Sequence, residues 1–311
     1  MDRPASRLVV GAAQFGQSYG RSGKPAPTDA EVADILRLAV ELECAAVDTA
    51  RAYGDSEAAI GRARRSGAGG ALPVVTKIRP LTDHSETLGI ETAVRASLTE
   101  SLSHVGAFHL DAVLLHRTAD LRRAGGAAIH ALRAARAHGL LGRWGVSVAD
   151  PDELAEALAV PDLGYIQLPF NVVDRRWLTA SVQDALAARP DVTIVARSAF
   201  LQGILLDPDD ATWPRDARPD AAAVRASLAR MAAETGRTFA GLCLGYALAQ
   251  PWIDAVVVGI RSRAQLAHIA DEFARGSLPE SDCRRLEASI PAGSPDLVSP
   301  ALWPPRREDS T

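Results

Sequence analysis

The sequence predicts an α/β protein folded as a closed (β/α)8 (TIM) barrel, and two observations carry that expectation. Short runs of Val, Ile, Leu and Ala alternate with longer amphipathic segments along the whole 311-residue chain. Such runs read as parallel strands buried on both faces, each followed by a helix. Polar residues also close apolar runs or closely follow them: Asp48 after CAAV, Tyr53 in RAYG, Lys77 after PVVT and His116 after DAVLL. In a barrel the strand carboxyl ends form one rim, so these four side chains are placed to converge.

The elements follow in order. LVVGAAQF (8–15) reads as the first strand and TDAEVADILRLAVEL (28–42) as its helix, with Thr28 as N-cap and Glu31 three residues on. AAVD (45–48), PVVTK (73–77), DAVLLH (111–116), RWGVSV (143–148), YIQLP (165–169), VTIVARS (192–198) and DAVVVG (254–259) read as the other strands. Between and after them, helices are expected at 55–65, 91–105, 126–139, 150–160, 175–188, as a pair over about 219–249, and at 261–274. Two long linkers, 14–27 and 199–218, lie on the strand carboxyl-end side and can cover a pocket. The Pro-rich tail from about 291 reads as a surface strap ending in disorder, with Trp303 as a possible anchor.

A chain of this length fits one barrel domain spanning 1–311, although length alone leaves two domains open. The net charge is −4 with both signs interspersed, so no basic face for nucleic acid is expected. Cys44, Cys243 and Cys283 are too few and scattered for a disulfide framework or metal knuckle. No apolar segment approaches the ~18 residues that span a bilayer, and the start lacks an apolar signal core. The expectation is a cytoplasmic protein with no membrane partner, its oligomeric state left open. The scattered histidines His104, His109, His130 and His138 lack metal-ligand spacing, and the Asp207, Asp209, Asp210 cluster lacks the glycine and glutamate of a calcium loop. No metal site is expected.

The four convergent residues have a joint chemical meaning. A phenol ionises at about pH 10, too high for ready proton donation near neutrality, and a neighbouring ammonium favours the phenolate. Lys77 can supply that charge beside Tyr53, Asp48 can keep Lys77 protonated, and His116 can hydrogen-bond a carbonyl oxygen undergoing reduction.

At these residues the chain resembles the aldo-keto reductase superfamily. The resemblance runs through VDTARAYGDSEAAIG (47–61), VVTKI (74–78), LLHR (114–117), GRWGVSVAD (142–150), YIQLPFNVVDRR (165–176) and VVVGIRSRAQL (256–266), nearly the whole chain. It implies a nicotinamide-dependent reduction of an aldehyde, ketone or conjugated enone, with Asp48, Tyr53, Lys77 and His116 in the catalytic positions and Tyr53 as general acid. It further implies that NADP (NADPH) is held at its nicotinamide end by Ser147, Gln167, Arg197, Ser198 and Gly203. At the adenosine end the corresponding residues are Gly259, Arg261, Ser262, Arg263 and Gln265, where a strand meets a helix N-terminus that attracts phosphate. Arg261 or Arg263 is expected to face a 2′-phosphate. The chain departs from the family's pattern in three places: His268 and Ile269 stand where many members contact adenine, Val148 replaces a common asparagine, and Arg197 replaces a tyrosine that stacks on the nicotinamide. A guanidinium can also stack on an aromatic face.

For the substrate, Arg51, Arg79 and Arg117, with Arg197, are expected around the rim, and Phe15 and Tyr19 on the first long loop. A cationic mouth would suit a small carbonyl substrate that is sugar-like or anionic. Two rival readings are a catalytically weak redox sensor of the same fold and a metal-dependent barrel isomerase or hydrolase. The first is disfavoured by an intact tetrad and the second by the lack of clustered His, Asp and Glu at strand ends.

Overall fold

The computed structural model describes residues 7–16, 25–82, 86–207, 213–214 and 218–303. Eight parallel strands, β1 (Leu8–Gly11), β2 (Ala46–Asp48), β3 (Val74–Lys77), β4 (Leu110–Leu115), β5 (Leu141–Ser147), β6 (Tyr165–Pro169), β7 (Thr193–Arg197) and β8 (Ala255–Gly259), pair in chain order. The last pairs with the first in the register Gly11 to Gly259, closing the expected (β/α)8 barrel. The surrounding helices are α1 (Ala13–Gly16), α2 (Asp29–Glu41), α3 (Ser56–Arg65), α4 (Thr87–Val105), α5 (Ala127–Ala137) and α6 (Pro151–Leu158), then α7 (Ala180–Ala187), α8 (Arg218–Thr235), α9 (Phe239–Leu248), α10 (Arg263–Ala274) and α11 (Glu280–Ser289).

Helix α2 shows why these segments fold locally as they do. Thr28 and Glu31 form the expected capping box, the backbone N–H of Thr28 donating to Glu31 Oε2 at 2.8 Å. Val32, Ile35, Leu36 and Ala39 then recur at helical spacing and are buried against the sheet.

Three segments differ from expectation. The first strand stops at Gly11, and AAQF turns into the single-turn α1 because Gly16 must sit against the loop carrying Tyr53. A Cβ on Gly16 would lie 2.1 Å from the Tyr53 carbonyl oxygen and 2.2 Å from the Ser56 nitrogen. The helix expected at 175–188 is split into a 3-10 turn at Arg175–Leu178 and α7, because Asp174 caps the turn and Thr179 is extended. Helix α11 was not expected from sequence; it is polar and buries only Cys283 and Leu286. Through its described part the tail packs on the barrel: Leu297 and Val298 are buried, Gly293 N–H donates to Val173 O at 2.8 Å, and the Trp303 indole donates to the Asp296 and Leu297 carbonyls.

Two cores share the strands. A large one lies between sheet and helices, and a smaller one inside the barrel consists of Val9, Ala46, Val75, Ala112, Leu114, Tyr165, Val195 and Ala255. Because strand side chains alternate, the residues two positions further on face the same interior. They are Gly11, Asp48, Lys77, His116, Gln167 and Arg197, with Ser147 two past Gly145 and Gly259 two past Val257. Strand parity thus turns an apolar layer into a polar one at the carboxyl-end rim.

Candidate active site

Asp48 and Lys77, from adjacent strands β2 and β3, form a buried pair. Lys77 Nζ lies 2.7 and 2.8 Å from the two Asp48 oxygens and donates to Thr49 O at 3.1 Å. Gln167 Nε2 donates to Asp48 Oδ2 at 2.9 Å, so this amide meets the tetrad carboxylate from across the barrel. Burial pushes the Lys77 ammonium down, but the charge of Asp48, joined by that of Tyr53 once it ionises, outweighs it and its pKa lies above the usual lysine value. Lys77 therefore stays charged although 1% exposed.

That charge lies 5.2 Å from the centre of the Tyr53 ring. His116 meets Tyr53 edge-on, with ring centres 6.0 Å apart. Burial, then the charges of Lys77, Arg197 and Arg117, push His116 down to about 4, so it is neutral at neutral pH. Its Nδ1 is buried without a partner among the described residues. The structure brings all four tetrad residues together.

The loop carrying Tyr53 is held from behind by a polar cluster. Thr49 and Ser56 hydroxyls lie 2.8 Å apart, and Ser56 donates to Ala12 O at 2.7 Å. Glu57, 1% exposed, accepts from Thr76 and from Arg51, both at 2.6 Å. Arg51 also donates to Glu100 at 2.6 Å and lies 2.8 Å from His104 Nδ1. This corrects the expectation that Arg51 faces a substrate: once the strand ends at Asp48 the alternation lapses, and Arg51 turns back under α3 and α4. Glu57 was missed from sequence, and as an ordinary glutamate in the first turn of a helix it gave no signal.

A cavity of about 220 Å³ opens beside the pair, its wall including Asp48, Tyr53, Gln167, Arg197, Ser198, Gly203 and Gly259. Gln14, Phe200, Gln202 and Leu206, none of them singled out by sequence, line it as well. Gly259 keeps the wall open, since a Cβ there would meet only the Gln14 side chain, at 4.0 Å, whereas a Cβ on Gly11 would press against β8, 3.1 Å from Gly259 N and Val258 O. The β7 exit turns sharply, with positive φ at Ser198 (60°), Leu201 (46°), Gln202 (58°) and Gly203 (93°). Gln265 lines this cavity and also a second hollow of about 560 Å³ walled by Pro25, Pro27, Glu31, Arg261 and Ser262.

Ser262 caps α10, accepting from Gln265 N–H at 3.2 Å. Arg261 donates to Pro25 O, while its Nη1 is buried without a partner among the described residues. Arg263 is exposed and 3.7 Å from Glu41. Of the remaining expected residues, Ser147 is buried outside both cavity walls, and Arg79 and Arg117 are exposed and line neither. Phe15 is packed in the outer core rather than toward a substrate, because α1 turns its ring inward; this corrects its assignment. Tyr19 lies outside the described residues. Among the described residues no three His, Cys, Asp or Glu side chains are grouped to hold a metal, and no helix is long and apolar enough to cross a membrane.

The closed barrel thus carries a buried Asp–Lys pair, an adjoining tyrosine and a histidine at its carboxyl-end rim. The aldo/keto reductase family model matches residues 7–291, and the chain belongs to that family. Its members reduce small carbonyl substrates with a nicotinamide cofactor. Among solved structures, the chain is similar to the holo form of aldo-keto reductase AKR11C1 from Bacillus halodurans, at 19% identity and TM-score 0.73, covering 92% of this chain and 93% of that one. It is also similar to a structure described as a 2,5-diketo-D-gluconic acid reductase B, at 21% identity and TM-score 0.65, covering 91% and 87% of the two chains. At these identities the likeness concerns the fold. No curated protein sequence matched.

Proposed function

We propose that the protein reduces an aldehyde, ketone or conjugated enone with NADPH, using Tyr53 as general acid. The observation that carries this reading is the placement of Tyr53 between the Lys77 ammonium, 5.2 Å from its ring centre, and the His116 ring at 6.0 Å. The cofactor, when bound, supplies hydride to the carbonyl carbon. Tyr53 gives its proton to the oxygen, so the carbonyl gains hydride and proton and becomes an alcohol. Lys77 favours the phenolate left behind, and Asp48 keeps Lys77 charged and aimed. Neutral His116 offers an N–H to the same oxygen.

The two hollows, which share Gln265 as a wall residue, suit an extended dinucleotide running from Tyr53 past Gly259 to Arg261. The unpaired Arg261 Nη1 supports a 2′-phosphate there and hence NADPH over NADH. The substrate is a small polar or anionic carbonyl, a reading supported by Arg117, whose charge reaches His116.

The test is cofactor oxidation over a panel of size-matched anionic, sugar-like and apolar carbonyls. Tyr53→Phe should lower kcat at least about 100-fold with cofactor affinity nearly unchanged. Near wild-type turnover in that variant would remove Tyr53 from the chemistry. A panel won by apolar aldehydes at both low and high salt would remove the substrate reading.

A further inference from the structure

Among the described residues Arg197 is the one rim arginine that lines the cavity. It continues the inward parity of β7 after Val195 and is half-buried. Its Nη2 donates to Val148 O at 3.1 Å and its Nη1 reaches Ser198 Oγ at 3.5 Å. These anchors are a carbonyl and a hydroxyl, both neutral. No carboxylate of a described residue pairs with it, whereas the other cation beside the cavity, Lys77, has both Asp48 oxygens within 2.8 Å. Among the described residues Arg197 is thus a positive charge without a carboxylate partner in a partly water-excluded wall, where charge acts over several ångströms.

What occupies the cavity follows from its boundaries. A carbonyl oxygen that takes the Tyr53 proton and the His116 hydrogen bond lies toward His116, and His116 is not part of the cavity wall. The cavity is bounded instead by Gly259 and by Gln265, which also walls the second hollow. The group on the Arg197 side of Tyr53 is therefore the hydride carrier. When a dihydronicotinamide ring gives up hydride, it loses a proton and two electrons together and changes from neutral to a cation. A nearby guanidinium is attracted to the electron-rich neutral ring and repelled by the cationic one.

We propose that Arg197 biases the cavity toward the reduced, neutral form of the cofactor and against the oxidised, cationic form. The bias makes product cofactor leave readily and favours carbonyl reduction over alcohol oxidation. The downward shift of His116 in which Arg197 takes part shows that this charge is felt across the rim. This inference rests on the proposed nicotinamide-dependent reduction and assigns a specificity role to a residue within that site.

The experiment measures dissociation constants at low ionic strength for NADPH, NADP+ and 2′-phospho-ADP-ribose, which lacks the nicotinamide. Wild type is compared with Arg197→Gln and Arg197→Lys. In Arg197→Gln the preference for NADPH over NADP+ should fall roughly tenfold, as expected for one charge at several ångströms partly screened by water. Arg197→Lys should keep most of the preference, and the truncated ligand should bind all three proteins alike. An unchanged ratio in Arg197→Gln overturns the proposal. So does equal weakening of both cofactor forms, which would make Arg197 a positioning residue only. Failure of the wild type to bind either form overturns the proposed function as well, so the two failures read apart.

Discussion

Two buried ion pairs lie three residues apart in sequence at the end of β2, and they do opposite things. Asp48 with Lys77 borders a cavity, and Arg51 with Glu57 is sealed behind it. The first pair has Tyr53 and an opening beside it. The second is knit into its surroundings: Glu57 accepts from Thr76 and Arg51, and the two terminal guanidinium nitrogens of Arg51 also reach Glu100 and His104. The difference teaches that ionisable residues at a barrel rim are sorted by strand parity before they are sorted by chemistry. Asp48 keeps the inward parity of Ala46, while Arg51 has left the strand. One pair is placed to be used and the other to hold the loop between them.

The comparison breaks most visibly at Lys77. Lys77→Met removes the charge facing the Tyr53 ring and strands Asp48, so kcat should fall at least about 100-fold and stability by about 3 to 5 kcal/mol. Both are read from steady-state kinetics and urea unfolding. Retained turnover would mean the first pair is structural like the second. Glu57→Ala should cost a similar 3 to 5 kcal/mol or so of stability by leaving Arg51 buried beside fewer carboxylates. Its kcat per folded molecule should nevertheless stay within about tenfold of wild type. A collapse of kcat at full stability would move Glu57 into the chemistry.

The smallest effect sharpens the contrast through pH. His116 has its pKa lowered from 6.5 to about 4, first by burial and then by the charges of Lys77, Arg197 and Arg117. Below about pH 6.5 the unfolded chain therefore takes up a proton that the folded protein refuses. The stability contributed by neutral His116 is complete above that pH and is lost as pH falls through 6.5 toward 4. Wild type should lose melting temperature relative to His116→Gln over that window and match its trend above it. Parallel curves down to pH 4 would show that His116 titrates normally.

The barrel was legible because parallel strands buried on both faces are short apolar runs, and eight of them alternate with helices. The convergence of these side chains was legible because Asp48 and Lys77 close such runs and His116 follows one. What escaped has physical reasons. AAQF is apolar enough for strand, and only the contact between Gly16 and the Tyr53 loop turns it. Arg51 could not be aimed from sequence because no periodicity governs a residue beyond its strand. Gln14 and Gln202 reach the cavity from irregular backbone, where spacing carries no information. Helix α11 packs so few apolar side chains that its pattern gives little helical signal.

The left-handed backbone leaving β7 has a consequence for how this chain tolerates change. At Ser198 and Gln202 the conformation, more than the chemistry of the side chain, filters replacements. Glycine, asparagine and aspartate enter at little steric cost, while valine, isoleucine and threonine are excluded even where their size would fit. Variation that reshapes this side of the cavity is therefore funnelled to neighbours with ordinary backbone, such as Phe200 and Leu206, which can change freely without disturbing the turn.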